Sequence, residues 1–389
     1  MTVSADHWQK ITRGCSEIIS EAELKTKLSK SHPLKIKLGV DPTAPDLHFG
    51  HLVVLRKLRT FQDLGHQIEF IIGDFTARIG DPSGQSVTRP TLKPQEIWDH
   101  AKTYQDQVFR ILKKEATQVQ FNSTWLNVLG IPGLLELARH STVAQMLERA
   151  DFKARFEKKT DISLLEFYYP LLQGYDSVAI QSDVELGGTD QKFNLLMGRD
   201  IQRDYKQEPQ VVMTMPLLEG LDGVKKMSKS YGNYIAFNDS PQDKFGKVMS
   251  VPDALMPKYA ELLTDLDLSK LKAMHPKEAK VLLAKTLIEQ FDGAEAAEKA
   301  AAEFERVFSK GEMPEEIPSF KPSELTPKLI DLMVETGMAP SKKEARRLCE
   351  QGAVELDGLR QSYDAQLNLR VEQILKVGKR RVVRLLPFR

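Results

Sequence analysis

Cysteine is scarce in this 389-residue chain. The two that occur, Cys15 and Cys349, stand too far apart in sequence to make a metal knuckle or a redox pair. No run approaches the ~18 consecutive apolar residues that a membrane-spanning helix needs. The opening MTVSADHWQK lacks the charged-then-apolar layout of a secretory signal. These absences point to a reducing, cytoplasmic setting with no membrane. Net charge is close to nil at +1 and by itself selects no partner. Internal repeats and low-complexity tracts are missing too. What remains is a chain with 41% hydrophobic residues, enough for a large core, and a length that suggests two or three domains.

The charge is unevenly spread. Residues 326–389 hold 13 Lys/Arg against 8 Asp/Glu, a tail of +5 beside a body of −4. That leans towards nucleic acid, with solvated surface charge as the plain alternative. Residues 1–30 read as a helical lead-in. From about Lys35 to Ala236, short apolar segments at 35–40, 68–73, 118–122, 183–187 and 209–214 alternate with helix-length patterns. The expectation is an α/β, doubly wound parallel-sheet (Rossmann-like) domain over 1–240. In such sheets ligands bind beyond the carboxyl ends of the strands. Segment 241–310 reads as a helical domain, and 311–327, with four prolines, as a linker. Residues 328–389 read as a small α+β domain.

The first chemical signal is His48-Phe49-Gly50-His51, where strand 35–40 passes through the loop at Asp41–Pro45 into a helix carrying Leu52, Leu55, Leu58, Phe61 and Leu64, with Gly65 as its stop. Two histidines there can donate to one anion, helped by free N–H groups of the helix start. Gly50 would leave room for a ligand to approach. Ordinary surface histidines are the alternative. Zinc finds no third ligand nearby in sequence. The second signal is KKMSKS, Lys225–Ser230, after the last strand and the turn EGLDG. Ammonium groups on Lys226 and Lys229, flanked by small hydroxyl residues, suit a loop that closes on a polyphosphate. Tyr169, Gln173 and Asp176 share one face of an apolar helix, which is costly unless partners or a ligand satisfy them. Gly187 and Gly188 precede Thr189, Asp190 and Gln191 at a helix start. The loop GDFTARIGDPSGQSVTR offers Asp81 but lacks the lysine of a P-loop.

HFGH with KMSKS resembles the two signatures of the class I aminoacyl-tRNA synthetases, with Phe49 where isoleucine is usual. The chain is similar almost end to end to the bacterial tyrosyl branch of that family. The resemblance implies that His48 and His51, joined by Thr43, stabilise the transition state at the ATP α-phosphate while Lys226 and Lys229 hold the leaving pyrophosphate. It places ATP against Gly39, Asp41, Gly50, Gly188, Met227, Ser228 and Ser230, with Asp190 on ribose and Arg89 in the loop after Asp81. It assigns the tyrosine ammonium to Asp81, Tyr169 and Gln173, the phenol to Asp176, and the neighbourhood of the carboxylate to Gln191. Lys37 stands where a phenol-binding tyrosine is commoner, and Gln85 where a lysine is expected; with the complete KMSKS, both resemble the second bacterial subgroup. Lys37 is expected to pair with Asp176 or donate to the phenol, or else to point to solvent. Mg²⁺ would accompany ATP, with no organic cofactor, and the family implies a homodimer acting on tRNA(Tyr).

In the tail, a helix, a turn at Gly337–Pro340 and a helix from Ser341 carry Lys342, Lys343, Arg346 and Arg347 as a basic face. Ser341 with Glu344 reads as a capping box. The segment resembles the alpha-L RNA-binding motif shared with a ribosomal small-subunit protein, and implies tRNA contact. Rivals are a tryptophanyl enzyme, a silent RNA-binding protein on the same scaffold and a small-molecule adenylyltransferase. Tyr169, Asp176 and the tail argue against the first, the intact signatures against the second, and the basic tail against the third.

Overall fold

The computed structural model describes residues 4–83, 93–309, 317–378 and 381–388. The chain forms two compact units, Met1–Ala297 and Glu298–Arg389. The first is built on a six-stranded sheet of β1 (Glu17–Ile19), β2 (Lys35–Val40), β3 (Gln67–Ile72), β4 (Thr117–Phe121), β5 (Val184–Gly188) and β6 (Val211–Met215). Their order is β1-β6-β5-β2-β3-β4. The pairs among β2 to β6 are all parallel, and β1 runs antiparallel along β6. The doubly wound expectation holds. The chain steps outwards from β2 to β3 and β4, then returns to lay β5 on the other flank of β2. That reversal puts the switch point, where such folds bind ligands, between the carboxyl ends of β2 and β5.

The lead-in is not helical throughout. Helices Ala5–Thr12 and Glu21–Leu28 flank β1, whose backbone completes the sheet edge beside β6. Three residues carry too little periodicity to reveal a strand. In β2, Ile36 and Leu38 are buried as expected, but so is Lys37. A parallel sheet covered on both faces has no wet side, so alternation does not predict exposure there.

Helix α1 (Phe49–Asp63) buries Leu52, Leu55, Leu58 and Phe61, and Gly65 supplies the positive φ (88°) after its end. Helices α2 (Leu164–Ile180) and α3 (Lys192–Asp204) pack closely across two glycines. A Cβ at Gly174 would lie 2.7 Å from Ile201 Cδ1 and 3.3 Å from the Gly198 backbone nitrogen. The helical segment from Pro241, including α4 (Met256–Leu263) and α5 (Pro276–Asp292), contributes Tyr259, Leu263, Leu283 and Leu287 to the buried residues of the first unit.

The second unit holds a five-stranded sheet of β7 (Ser319–Phe320), β8 (Val354–Leu356), β9 (Leu359–Arg360), β10 (Gln373–Val377) and β11 (Arg381–Leu385), ordered β7-β11-β10-β8-β9. Helices Leu329–Glu335 and α6 (Lys342–Glu350) share its core through Leu332, Met333, Ala345 and Cys349. Gly337 turns between them at φ 73°. The capping box is only half built. Ser341 Oγ accepts from the Glu344 N–H at 3.3 Å, but the Glu344 carboxylate takes Arg347 at 2.7 Å instead of returning to the cap.

Candidate active site

Two backbone hydrogen bonds join the two signature segments. The Phe49 N–H donates to the Ile235 carbonyl at 3.0 Å and the Phe237 N–H to the Leu47 carbonyl at 2.9 Å, either side of a bridge between His48 and Ala236. The histidine turn and the loop segment that follows KMSKS are therefore tied by one isolated antiparallel bridge with two backbone hydrogen bonds, a minimal ladder.

Within the turn, the expected free N–H groups are already used. The Gly50 N–H donates to His48 Nδ1 at 3.1 Å, and the His48 N–H donates to His51 Nδ1 at 3.2 Å. The His51 N–H goes to the His48 carbonyl at 2.8 Å. Gly50 has a different role from the one expected, because a Cβ there would lie 2.8 Å from His48 Cε1. The missing side chain accommodates the imidazole. Burial pushes the His48 pKa down to about 2, with help from His51, Lys229 and Lys226. Burial and Lys229 push His51 down to about 4. Both rings are thus neutral at pH 7. With each Nδ1 accepting, each proton sits on Nε2, and the turn offers two N–H donors of fixed tautomer.

The lysine loop is held by Asn233. Its Oδ1 accepts from the Ser228 N–H at 2.8 Å, and its Nδ2 donates to Asp222 at 2.9 Å and to the Lys225 and Lys226 carbonyls at 3.3 and 3.2 Å. Gly220 leaves the space, since a Cβ there would meet Asn233 at 2.3 Å. Met227 is buried with its N–H on the Leu218 carbonyl at 2.7 Å, while Ser230 is exposed. Lys226 pairs with Asp190 at 2.9 Å. Lys229 Nζ is buried with no hydrogen-bond partner among the described residues, and burial lowers its pKa. An unpaired ammonium near two neutral N–H donors is suited to a polyanion.

Gly39 has nothing within 4 Å of an added Cβ, so the end of β2 is open. Thr43 is exposed, with its N–H on the Asp41 carbonyl at 2.8 Å. Gly188 gives way to the Asp190 carboxylate, whose Oδ1 a Cβ would meet at 2.7 Å.

A second cluster lies beside it. Tyr169 donates to Asp41 Oδ2 at 3.0 Å, and Thr76 to Asp41 Oδ1 at 2.8 Å. Burial raises the Asp41 pKa to about 7, against the hydrogen bond from Thr76 and with the charges of Asp81 and Asp176. Asp41 therefore sits with Tyr169 rather than alone at the nucleotide end. Gln191 donates to Asp81 at 2.8 Å. Asn194 donates to Gln173 at 3.0 Å and to Gln191 at 3.1 Å, tying these side chains together.

Asp176 receives Trp125 Nε1 at 2.7 Å and Asn122 Nδ2 at 3.3 Å. Burial raises its pKa to about 6, opposed by the charge of Lys37 and by these two donors. Lys37 neither reaches solvent nor bonds Asp176. It is 0% exposed, and its ammonium donates to Glu185 Oε1 at 2.9 Å, the Gln173 carbonyl at 2.9 Å and Ser177 Oγ at 2.7 Å. Three bonds use three donors, so none remains for a phenol.

Sequence reasoning missed Trp125, Asn122, Glu185, Asn194, Asn233 and Arg149. Arg149 is buried and donates to Asn194 at 3.0 Å and Ser83 at 2.8 Å. Only Asn122, a polar residue directly after a strand, left a readable signal. Arg89 and Gln85 lie outside the described residues. In the tail, Lys342 pairs with Asp331 at 2.7 Å, Arg346 with Glu350 at 2.9 Å and Arg347 with Glu344 at 2.7 Å, and Lys343 is exposed.

Residues 29–309 match the family described as tRNA synthetases class I (W and Y), and 309–383 match the tyrosine--tRNA ligase SYY-like C-terminal domain. The chain is 52% identical to the tyrosine--tRNA ligase of Moorella thermoacetica, over 97% of this chain and 95% of that one. It is 52% identical to that of Aquifex aeolicus, over 96% and 97%. Its fold matches a crystal structure of a C-terminally truncated Aspergillus nidulans mitochondrial tyrosyl-tRNA synthetase, with TM-score 0.65 and 21% identity, over 78% of this chain and 93% of that one. A tyrosyl-tRNA synthetase from Archaeoglobus fulgidus complexed with L-tyrosine matches with TM-score 0.62 and 22% identity, over 76% and 99%.

Proposed function

The chain belongs to the tyrosine–tRNA ligases of the class I (W and Y) synthetase family, and from that premise we propose how its own residues divide the reaction. It has tyrosine–tRNA ligase activity, with ATP, tyrosine and tRNA(Tyr) as substrates. A tyrosine carboxylate oxygen attacks the α-phosphorus of ATP, the bond to the β-phosphate oxygen breaks, and pyrophosphate leaves with the electron pair. The 3′-terminal adenosine hydroxyl of tRNA then attacks the tyrosyl carbonyl and AMP departs, taking up the hydroxyl proton.

The observation that carries this division is the ladder mounting His48 and His51 beside a buried, unpartnered Lys229 ammonium. The two Nε2–H donors meet charge developing on the α-phosphate oxygens, and Thr43 lies beside them. Lys229 meets the departing pyrophosphate, and Lys226 joins it by exchanging Asp190 for phosphate. Asp190 is then released to bind ribose. This is electrostatic stabilisation with donors already in place. ATP lies over the open Gly39 and along Asp41, Gly50, Gly188, Met227, Ser228 and Ser230, with Arg89 as a further ATP contact. Mg²⁺ enters with ATP as part of the substrate. Tyr169, Gln173 and Asp81 take the tyrosine ammonium, Gln191 lies near its carboxylate, and Asp176, aimed by Trp125 and Asn122, accepts a hydrogen bond from the phenol hydroxyl.

The division into a catalytic domain 1–240, an anticodon-binding helical domain 241–310, a linker 311–327 and an RNA-binding domain 328–389 belongs to the same reading. So does tRNA contact through the exposed Lys343 and through Lys342, Arg346 and Arg347, whose surface ion pairs exchange readily for phosphate. A homodimer is supported by the apolar patch of Val128, Ile131, Leu135, Val143, Leu164 and Leu165, all at least half exposed on neighbouring helices. No helix among the described residues is long and apolar enough to cross a membrane, and we place the enzyme in the cytoplasm.

The test is exchange of pyrophosphate into ATP with each of the twenty amino acids. Exchange with tyrosine and little with phenylalanine or tryptophan is expected. Tryptophan-dependent exchange without tyrosine, or none at all, would overturn the reading.

A further inference from the structure

Beneath the histidine turn lie three phenylalanines that the reaction does not use. Phe49 and Phe237 are fully buried. Phe291, in the last turn of α5, stacks on Phe49 with ring centroids 5.6 Å apart and planes 9° apart. It also packs against Phe237 at 4.7 Å and 57°. Phe49 and Phe237 meet edge to face at 6.4 Å. These two residues are the N–H donors of the ladder that joins the histidine turn to the segment following the lysine loop. One aromatic ring from a helix some 240 residues downstream of the turn thus touches both sides of the ladder.

Phe291 is itself held firmly. The Arg110 guanidinium lies 5.2 Å from its ring centre and donates to the Phe237 and Phe291 carbonyls at 2.8 and 3.3 Å. Arg110 and Lys244 grip the two oxygens of the adjacent Asp292 at 2.9 and 2.8 Å. Lys244 Nζ lies 5.4 Å from the Phe291 ring centre. The end of α5 is therefore anchored by ion pairs and cation–π contacts while its aromatic ring faces the ladder. A ladder with two hydrogen bonds has little register stiffness of its own, so packing beneath it sets where the histidines stand.

We infer that Phe291 is a positioning residue for adenylate formation. By clamping Phe49 and Phe237 it fixes the register of the ladder that carries His48 and His51. The inference rests on the proposed division of roles above. Displacement of catalytic donors by as little as ~1 Å can cost about a hundredfold in rate. The contribution is separable from tyrosine binding, because among the described residues Phe291 makes no ring, ion-pair or hydrogen-bond contact with Asp41, Tyr169 or Asp176.

The experiment is single-turnover adenylate formation in the full-length Phe291→Leu protein, alongside its tyrosine dissociation constant. The expected result is a rate lower by about tenfold or more with tyrosine affinity changed by less than about twofold. In a His48→Asn background the same substitution should cost clearly less, the remainder acting through His51, because residues acting through one another are non-additive. Phe291→Tyr, which keeps the stacked ring, should restore most of the rate, and Phe291→Met serves in place of the leucine variant if that fails to fold. An unchanged rate in the leucine or methionine variant, an equal loss in both backgrounds, or a tyrosine variant as slow as leucine would overturn the inference. Wild-type exchange with tyrosine is recorded in parallel. Its absence would defeat the ligase reading itself, whereas its presence with an additive cycle would defeat only the role of Phe291.

Discussion

At Lys37 a buried ammonium is matched by the buried Glu185 carboxylate, with Ser177 and the Gln173 carbonyl completing its shell. Gln210 donates to the other Glu185 oxygen, so the pair is well satisfied. Lys37→Met leaves that carboxylate buried without its cation, which typically costs ~3–5 kcal/mol. Urea unfolding should show a loss of that order. Tyrosine-over-phenylalanine selectivity in the exchange assay should fall only mildly, through the lost influence of Lys37 on Asp176. Asp176→Asn should erode it strongly, since the carboxylate accepts the phenol hydrogen bond directly. A larger selectivity loss for Lys37→Met than for Asp176→Asn would reverse these roles. The acids also make binding pH-dependent. Asp41 has its pKa raised from 3.8 to about 7, so the folded apo protein holds a proton that the unfolded chain has lost, and this group's contribution to stability falls as pH rises between about 4 and 7. A tyrosine ammonium on Tyr169 favours ionised Asp41. Tyrosine binding near pH 6 should therefore release protons, and near pH 8.5 should release almost none. Calorimetry in buffers of differing ionisation enthalpy reads this, and pH-independent proton release would refute the coupling.

At the scale of one element, the lysine loop owes its shape to Asn233 and to its attachment to α4. Lys258 reaches both Glu219 oxygens at 2.8 Å, and Tyr259 donates to the Glu219 carbonyl at 2.6 Å. Asn233→Ala removes one acceptor and several donated bonds from inside the turn, each buried group left unpaired costing ~1–3 kcal/mol. The expected outcome is slower adenylate formation and weaker ATP binding, with the tyrosine dissociation constant unchanged in equilibrium titration. A loss confined to tyrosine binding would show that Asn233 serves the other cluster.

For the whole molecule, the two compact units predict separable activities. A chain ending at Ser309 keeps the sheet, the ladder and α5, and should retain tyrosine-dependent exchange close to the full-length rate. It loses the +5 tail and should lose tRNA charging at physiological salt. Full charging by the shortened chain would remove the tail from tRNA recognition. Lys342, Arg346 and Arg347 sit in surface ion pairs and Lys343 is exposed, so charging by the intact protein should also weaken steeply with added salt.

How much of this was legible beforehand depended on whether the signal was local. Five of the six strands in the large sheet, the helix after His51 with its stop at Gly65, and the two signature segments are each set by neighbours in sequence. Periodicity, turn residues and charge spacing could therefore reveal them. The fold class and the ligase chemistry follow from those segments. The sequence could not show which groups would meet. β1 is a strand only because β6 offers it an edge. Gly50 looked like space for a ligand until the His48 ring was seen to fill that space. Lys37 was expected beside Asp176, at the phenol or in solvent, whereas the covered sheet buries it against Glu185 on the neighbouring strand, 148 positions on. Trp125, Arg149 and Phe291 carry no periodic or motif signal, since each acts on residues distant in the chain, and Asn233 acts within its own loop through a turn geometry that no periodicity marks. Local sequence determined which chemistry is available. Burial and long-range packing decided which nitrogen holds a proton, which ammonium is left unpaired, and which ring holds the histidines in register.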